Sequence, residues 1–163
     1  MISNKIIYQY INLPIGTMLL TSDGTALTGL YFEGQKHAAI PNIQDYEQKS
    51  LNIFNEAYTE LTEYLNGKRQ VFTIAYNFIG TDFQQKVWST LCNIPYGQVL
   101  SYKAVANLVS APNSFRAVAN AIARNRLSII VPCHRVIGSN SRLTGYAAGL
   151  ELKRILLHLE GVA

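Results

Sequence analysis

The sequence predicts a small α/β domain over residues 1–79 followed by a mainly α domain over residues 80–163 that contains a helix-turn-helix pattern. Three observations carry this. Apolar residues alternate in short β-rich runs near the start and then recur at helical spacing through most of the second half. Two short helical patterns in the second half are joined by a turn of about four residues. Charge also divides there: residues 1–79 hold five Lys/Arg against seven Asp/Glu, a net of −2, whereas residues 80–163 hold nine against three, a net of +6, which together give the total of +4. At 163 residues the chain is long enough for one ordinary domain with a sizeable core, or for two small ones packed together.

The runs Lys5–Ile11, Ile15–Thr21 and Thr25–Phe32 read as strands of an antiparallel meander, with Ser22-Asp23-Gly24 as a turn signal. From about Tyr46 to Leu65, Leu51, Phe54, Tyr58, Leu61 and Leu65 recur at intervals of three and four, which predicts a helix before a β-like run over Val71–Phe78. The aromatic residues of this half sit at core-like positions, and no cluster of titratable groups suggests chemistry in it.

Thr81-Asp82-Phe83-Gln84 has capping-box spacing and predicts the start of a helix with the apolar stripe Phe83, Val87 and Leu91. Ile94-Pro95-Tyr96-Gly97 breaks it. Ser101 leads into a helix from Tyr102 to Val109 with Val105 and Leu108 facing inward, Ser110-Ala111-Pro112-Asn113 forms a turn, and a third helix runs from Ser114 to about Arg124. Gly138-Ser139-Asn140-Ser141 signals a hairpin or loop, and a last helix from about Leu150 to Leu159 is stopped by Gly161. In the third helix Arg116 is surrounded by Ala117, Ala119, Ala121 and Ala123. Such a surface would let the backbone approach a groove closely, and an alanine-rich core helix has the same composition. Five cations, Arg116, Arg124, Arg126, Arg135 and Arg142, lie within 27 positions, which suits an anionic partner such as nucleic acid and equally a solvated basic face.

No apolar run approaches the roughly 18 residues of a membrane span, and the first residues lack the order of a signal peptide, so a cytoplasmic location is expected. Cys92 and Cys133 form neither a disulfide framework nor a Cys-x-x-Cys pair, and both are expected as free thiols. Cys92, at the end of an apolar stripe with no histidine near, reads as a packed core thiol. Cys133 differs. In Pro132-Cys133-His134-Arg135-Val136 it precedes a histidine, the usual group that takes a thiol proton or stabilises a thiolate, although a Cys-His dipeptide alone is as a rule a core thiol beside an unrelated histidine. Glu160 stands where the helix dipole disfavours a carboxylate by a few tenths to about 1 kcal/mol, so either it frays or a partner such as His134 holds it.

The series Gly80-Thr81-Asp82-Phe83-Gln84, Val87-Trp88, Ile94-Pro95-Tyr96-Gly97, Ser101-Tyr102, Arg116-Ala117-Val118, Asn125, Pro132-Cys133-His134-Arg135-Val136, Gly145-Tyr146 and Leu159-Glu160-Gly161 resembles the O6-alkylguanine-DNA alkyltransferases, in order, throughout residues 80–163. The resemblance implies a ribonuclease H-like N-terminal domain and a winged helix-turn-helix DNA-binding domain. It implies that Cys133 takes an alkyl group from O6 of guanine, or less readily from O4 of thymine, and is not regenerated. His134 would then act through an ordered water as base, Glu160 would orient the imidazole, and Asn125 would brace the turns around the site. Arg116 would fill the stack vacated by a flipped nucleotide, with Ala117 and Ala121 among the small residues beside it. Tyr102 would crowd the phosphate, Arg124 would make a nonspecific phosphate contact, and Tyr146, Ala147 and the backbone of Val136 would line the base pocket. The implied partner is double-stranded DNA containing alkylated bases, engaged by a monomer without cofactor or metal; residues 1–79 hold no cysteine and only His37. A non-catalytic lesion-binding module of the same type is the alternative, although such relatives replace the cysteine kept here. The chain departs from the family pattern at Ala119 and Asn120, after Arg-Ala-Val, and at Ala148, where glycine is usual; Ala148 is expected to narrow the pocket.

Overall fold

The computed structural model describes residues 5–36 and 40–162. Three strands, β1 (Ile7–Leu13), β2 (Gly16–Ser22) and β3 (Leu27–Phe32), form the expected antiparallel meander. A two-residue strand β4 (Glu47–Gln48) adds to β1 in parallel, giving the order β3-β2-β1-β4, so the sheet is mixed. All six residues of β3 are buried, as a strand covered on both faces requires.

The helix α1 runs Asn52–Leu65 and starts six residues later than its periodicity predicts. The backbone N–H groups of Glu47 and Lys49 donate to Ile6 and Tyr8 carbonyls, so the sheet edge takes the segment that the apolar spacing assigns to the helix. Its inward face is Phe54, Ala57, Leu61 and Tyr64, while Tyr58 is exposed. Val71–Phe78 is not a strand. A single bridge joins Leu27 to Tyr76, and the carboxylate of Glu60 accepts the N–H groups of Thr73 and Ile74 where a neighbouring strand would otherwise do so.

In the second half, α2 (Asp82–Cys92) opens with the expected capping box between Thr81 and Gln84 and buries Val87, Trp88 and Leu91. Gly80 is required by close approach, since a Cβ there would stand 2.6 Å from the Trp88 ring. Next come β5 (Leu100–Ser101), α3 (Tyr102–Leu108), capped by the Ser101 hydroxyl, and α4 (Phe115–Ala123). These two helices and their turn are the helix-turn-helix. Leu108 is exposed, and Val109 fills the inward position expected for it. The short strand β6 (Val136–Ile137) pairs in parallel with β5, and α5 (Leu150–Leu159) ends the domain at Gly161, whose φ is +81°.

The halves are joined through the outer edge of β3: Leu30 N–H donates to the Arg126 carbonyl at 2.7 Å, and Ser128 N–H donates to the Leu30 carbonyl at 3.0 Å. One continuous apolar core includes residues of both.

Candidate active site

Cys133-His134-Arg135 form one 3-10 turn behind the loop Leu127–Pro132, and Asn125 builds that loop. Its Nδ2 donates to the Val131 carbonyl at 2.9 Å, the Leu127 carbonyl at 3.4 Å and Cys133 Sγ at 3.2 Å, while its Oδ1 accepts from Leu127 N–H at 3.0 Å. Within the loop Ile129 holds a φ of +72°, a strained conformation for a β-branched residue that persists because its surroundings are fully packed. A buried asparagine thus fixes the loop and also touches the sulfur.

His134 is completely buried, and its Nε2 lies 2.8 Å from Glu160 Oε1. Glu160, just past α5, is therefore held rather than frayed. Arg135 Nε donates to Glu160 Oε2 at 2.9 Å and Nη2 donates to Oε1 at 2.8 Å, a bidentate pair; Nη1 donates to the Ile94 carbonyl and the guanidinium lies 5.8 Å from the Tyr96 ring centroid. Tyr64, from α1 of the first domain, donates its hydroxyl to Oε1 at 2.7 Å. Gly97, whose φ is +78°, brings its backbone to the same place, where a Cβ would stand 3.0 Å from the Glu160 carbonyl. Lys153, fully buried on the inner face of α5, donates to the carbonyls of Val136, Thr144 and Gly145 at 2.5, 2.9 and 3.3 Å.

Burial pushes the Cys133 thiol above its ordinary value, against the opposing pull of the Asn125 amide and the Lys153 charge. Burial pushes His134 down, against the pull of Glu160 and with the push of Arg135 and Lys153. Burial likewise disfavours the Glu160 carboxylate, but the hydrogen bonds from His134 and Arg135 outweigh it and hold the group well below the carboxylate range. Lys153 is lowered by burial to about 8. The resting site is a neutral thiol, a neutral imidazole and a carboxylate neutralised by Arg135.

Cys133 lies at a cavity of about 850 Å³ whose lining includes Tyr102, Phe115, Asn125, Tyr146 and Ala147. Ala119 and Ala148 line it as well. The Tyr102 hydroxyl donates to the Thr144 and Gly145 carbonyls, and Lys36 N–H, from the first domain, donates to the Ala147 carbonyl at 2.9 Å. The Tyr146 hydroxyl is buried with no hydrogen-bond partner among the described residues. Such a chamber admits a planar base beside the sulfur.

Arg116 and Ala117 on α4 and Arg124 at its C-terminal cap are exposed. Ala121 is not. It lies one turn on from Ala117, rotated about 40° towards the buried Val118 and Ile122, and its carbonyl accepts from Trp88 Nε1 at 2.8 Å. Val136 is fully buried, and its carbonyl accepts from Lys153. Arg135 belongs to the interior, not to the basic surface that its place in the charge cluster suggests. Three side chains of the site were missed in the sequence. Lys153 had a signal, as a cation on the inward side of a helix just before Leu156 and Leu157. Arg135 sits in a stretch buried from Leu127 to Val136. Nothing local distinguishes Tyr64 among ten tyrosines. Cys92 is half-buried beside the Tyr76 hydroxyl. No three metal-ligating side chains converge among the described residues, and His37 lies outside them. No helix is long and apolar enough to cross a membrane among them.

Comparison with known proteins gives the same picture for both halves. The ribonuclease-like domain of 6-O-methylguanine DNA methyltransferase matches residues 6–78, and its DNA binding domain matches residues 82–162. A methylated-DNA--protein-cysteine methyltransferase of Methanosarcina barkeri is 44% identical over 94% of this chain and 96% of its own length. The inducible protein of the same name from Bacillus subtilis is 45% identical, covering 83% of this chain and 81% of its own. The crystal structure of Mycobacterium tuberculosis OGT in complex with DNA superposes with a TM-score of 0.87 at 40% identity, over 94% of this chain and 92% of that one. With likeness along nearly its whole length, and a buried cysteine followed in the chain by a histidine that pairs with a glutamate, this chain belongs to the 6-O-methylguanine DNA methyltransferase family.

Proposed function

We propose that this protein repairs alkylated DNA by direct reversal, moving the alkyl group from O6 of guanine, and less readily from O4 of thymine, to Cys133 once per molecule. What supports this above all is the Cys133 sulfur, set at the cavity with Asn125 against it and the His134–Glu160 pair next in the chain. His134 Nε2 is engaged by Glu160, so Nδ1, buried and without a hydrogen-bond partner among the described residues, is the ring nitrogen that relays the thiol proton through an ordered water. The Sγ lone pair forms the S–C bond as the C–O6 bond breaks. That bonding pair passes to the guanine oxygen and a proton follows, so thiol plus O6-methylguanine become thioether plus guanine. Asn125 Nδ2 and the positive Lys153 favour the thiolate while it exists. A static barrier to reaction in free protein, the raised thiol, falls once the base is seated and the proton has an acceptor.

The target base must leave the duplex, at a cost of a few kcal/mol. Arg116 fills the vacated stack from the minor groove, with Ala117 allowing close approach; Tyr102 crowds the phosphate, Arg124 holds a neighbouring phosphate, and Tyr146 and Ala147 flank the base, with the backbone of Val136 behind them. The protein works as a monomer in the cytoplasm, with residues 1–79 and 80–163 as its two domains. Intact-mass spectrometry after incubation with a duplex carrying O6-methylguanine tests the reading: wild type and Cys92→Ala gain a single methyl of about 14 Da and Cys133→Ala gains none. No gain with lesion binding retained would leave a damage-recognition module instead.

A further inference from the structure

Tyr64 reaches from the first domain into the cluster that serves Cys133. Its side chain is fully buried, packed at 5.4 Å against the Phe72 ring and at 6.2 Å against the Tyr96 ring, and its hydroxyl donates at 2.7 Å to Glu160, 96 residues away. A buried tyrosine needs an acceptor, and any carbonyl would satisfy that need. Here the acceptor is Oε1, the same oxygen that meets His134 Nε2 and Arg135 Nη2. Three donors converge on an atom with two lone pairs, so each sets how strongly the others bind.

We propose that Tyr64 is a positioning residue for alkyl transfer, pinning Glu160 Oε1 against His134 Nε2 and thereby making the reactivity of Cys133 depend on the docking of the first domain. The proposal rests on the function proposed above. The charged and titratable groups around the pair are Arg135 and Cys133 on the same turn as His134, Lys153 on α5, Tyr96 after α2, and Tyr146 in the pocket loop. Arg135 already neutralises most of the carboxylate charge, and Tyr64 withdraws more of it from Oε1. Without the hydroxyl, Oε1 turns its density to His134 and favours the imidazolium. His134 must be neutral to take the thiol proton, so it becomes competent only at higher pH, and the carboxylate loses a fixed orientation.

The test measures single-turnover transfer from a duplex carrying O6-methylguanine, from about pH 5 to 9, for wild type, Tyr64→Phe, Glu160→Gln and the double variant, with Cys133→Ala as blank. Duplex affinity and thermal midpoint are recorded alongside. Tyr64→Phe, which removes one oxygen and keeps the packing, is expected to bind DNA as wild type does. Its transfer should be about 3- to 10-fold slower at pH 7, and the acid limb of the profile should move up by about half a unit. In the Glu160→Gln background the same change should alter neither rate nor limb, the non-additivity that marks action through a shared partner. An acid limb left in place, or the same loss with and without Glu160, would overturn the proposal and leave Tyr64 as packing alone. Absence of transfer by wild type would instead remove the proposed function, a separate outcome.

Discussion

Replacing Arg135 with methionine should unfold this protein at a markedly lower temperature and leave the electrostatics of DNA binding untouched. Arg135 makes two hydrogen bonds to Glu160, at 2.9 and 2.8 Å, and one to the Ile94 carbonyl at 2.7 Å, with 7% of its surface exposed. Removing one partner of such a buried pair strands the other, at a cost of about 3–5 kcal/mol. For a chain of this size that is a fall in Tm of about 6–20 °C. The loss should also depend on pH in a defined sense. Glu160 is held below its ordinary value of 4.5 in the folded protein, so the stability it contributes is complete above that value and is lost as pH falls through the folded one. The gap between wild type and Arg135→Met is therefore widest near neutrality and closes in acid. Urea and thermal unfolding at several pH values measure it. On DNA, the salt dependence of binding should be unchanged in Arg135→Met, whereas Arg124→Ala should lower the slope of log K against log salt by about 0.9. A loss below about 1 kcal/mol together with a reduced salt slope would refute the placement of Arg135 in the interior.

Asn125→Ala removes the donor to Val131, Leu127 and Cys133 and the acceptor for Leu127 N–H, so urea unfolding should show a loss of about 2–4 kcal/mol, and transfer to Cys133 should slow as the strained Ile129 turn relaxes. Burial raises both thiols above 9.0, so carboxamidomethylation of DNA-free protein by iodoacetamide, mapped by peptide mass, should accelerate at Cys133 and Cys92 only above that pH; a limb near neutrality at Cys133 would contradict it. Ala148 lines the cavity where a smaller residue would leave room, so benzyl transfer should lag behind methyl transfer and Ala148→Gly should narrow the difference, equal wild-type rates counting against this.

Much of the site was legible because its chemistry is local. Cys133 and His134 are adjacent, Glu160 sits where a helix end alone does not favour it, and Thr81 and Gln84 announce α2 through contacts three residues apart. What escaped depends on contacts made at a distance. Tyr46–Leu51 keeps helical spacing yet joins the edge of the sheet, and Val71–Phe78 has β composition yet hydrogen-bonds to a glutamate of α1. Leu108 and Val109 exchange inner and outer places by one residue, a rotation of about 100° that a seven-residue helix specifies weakly. Arg135 reads as surface because cations are seldom buried, and only its pairing with Glu160 reverses that. Tyr64 lies almost a hundred positions from its partner, beyond the reach of any local pattern.

The outer edge of β3 gives up its free backbone groups to Arg126 and Ser128, in the stretch that leads into Cys133. A break in composition near residue 80 therefore marks no mechanical seam. Cutting the chain there would bare a strand edge on one fragment and, on the other, strip the loop before the nucleophile of its backstop. The two halves are separable as text and inseparable as a machine, so sequence drift in the first half is tolerable only where it preserves the small set of backbone and hydroxyl contacts that the second half borrows.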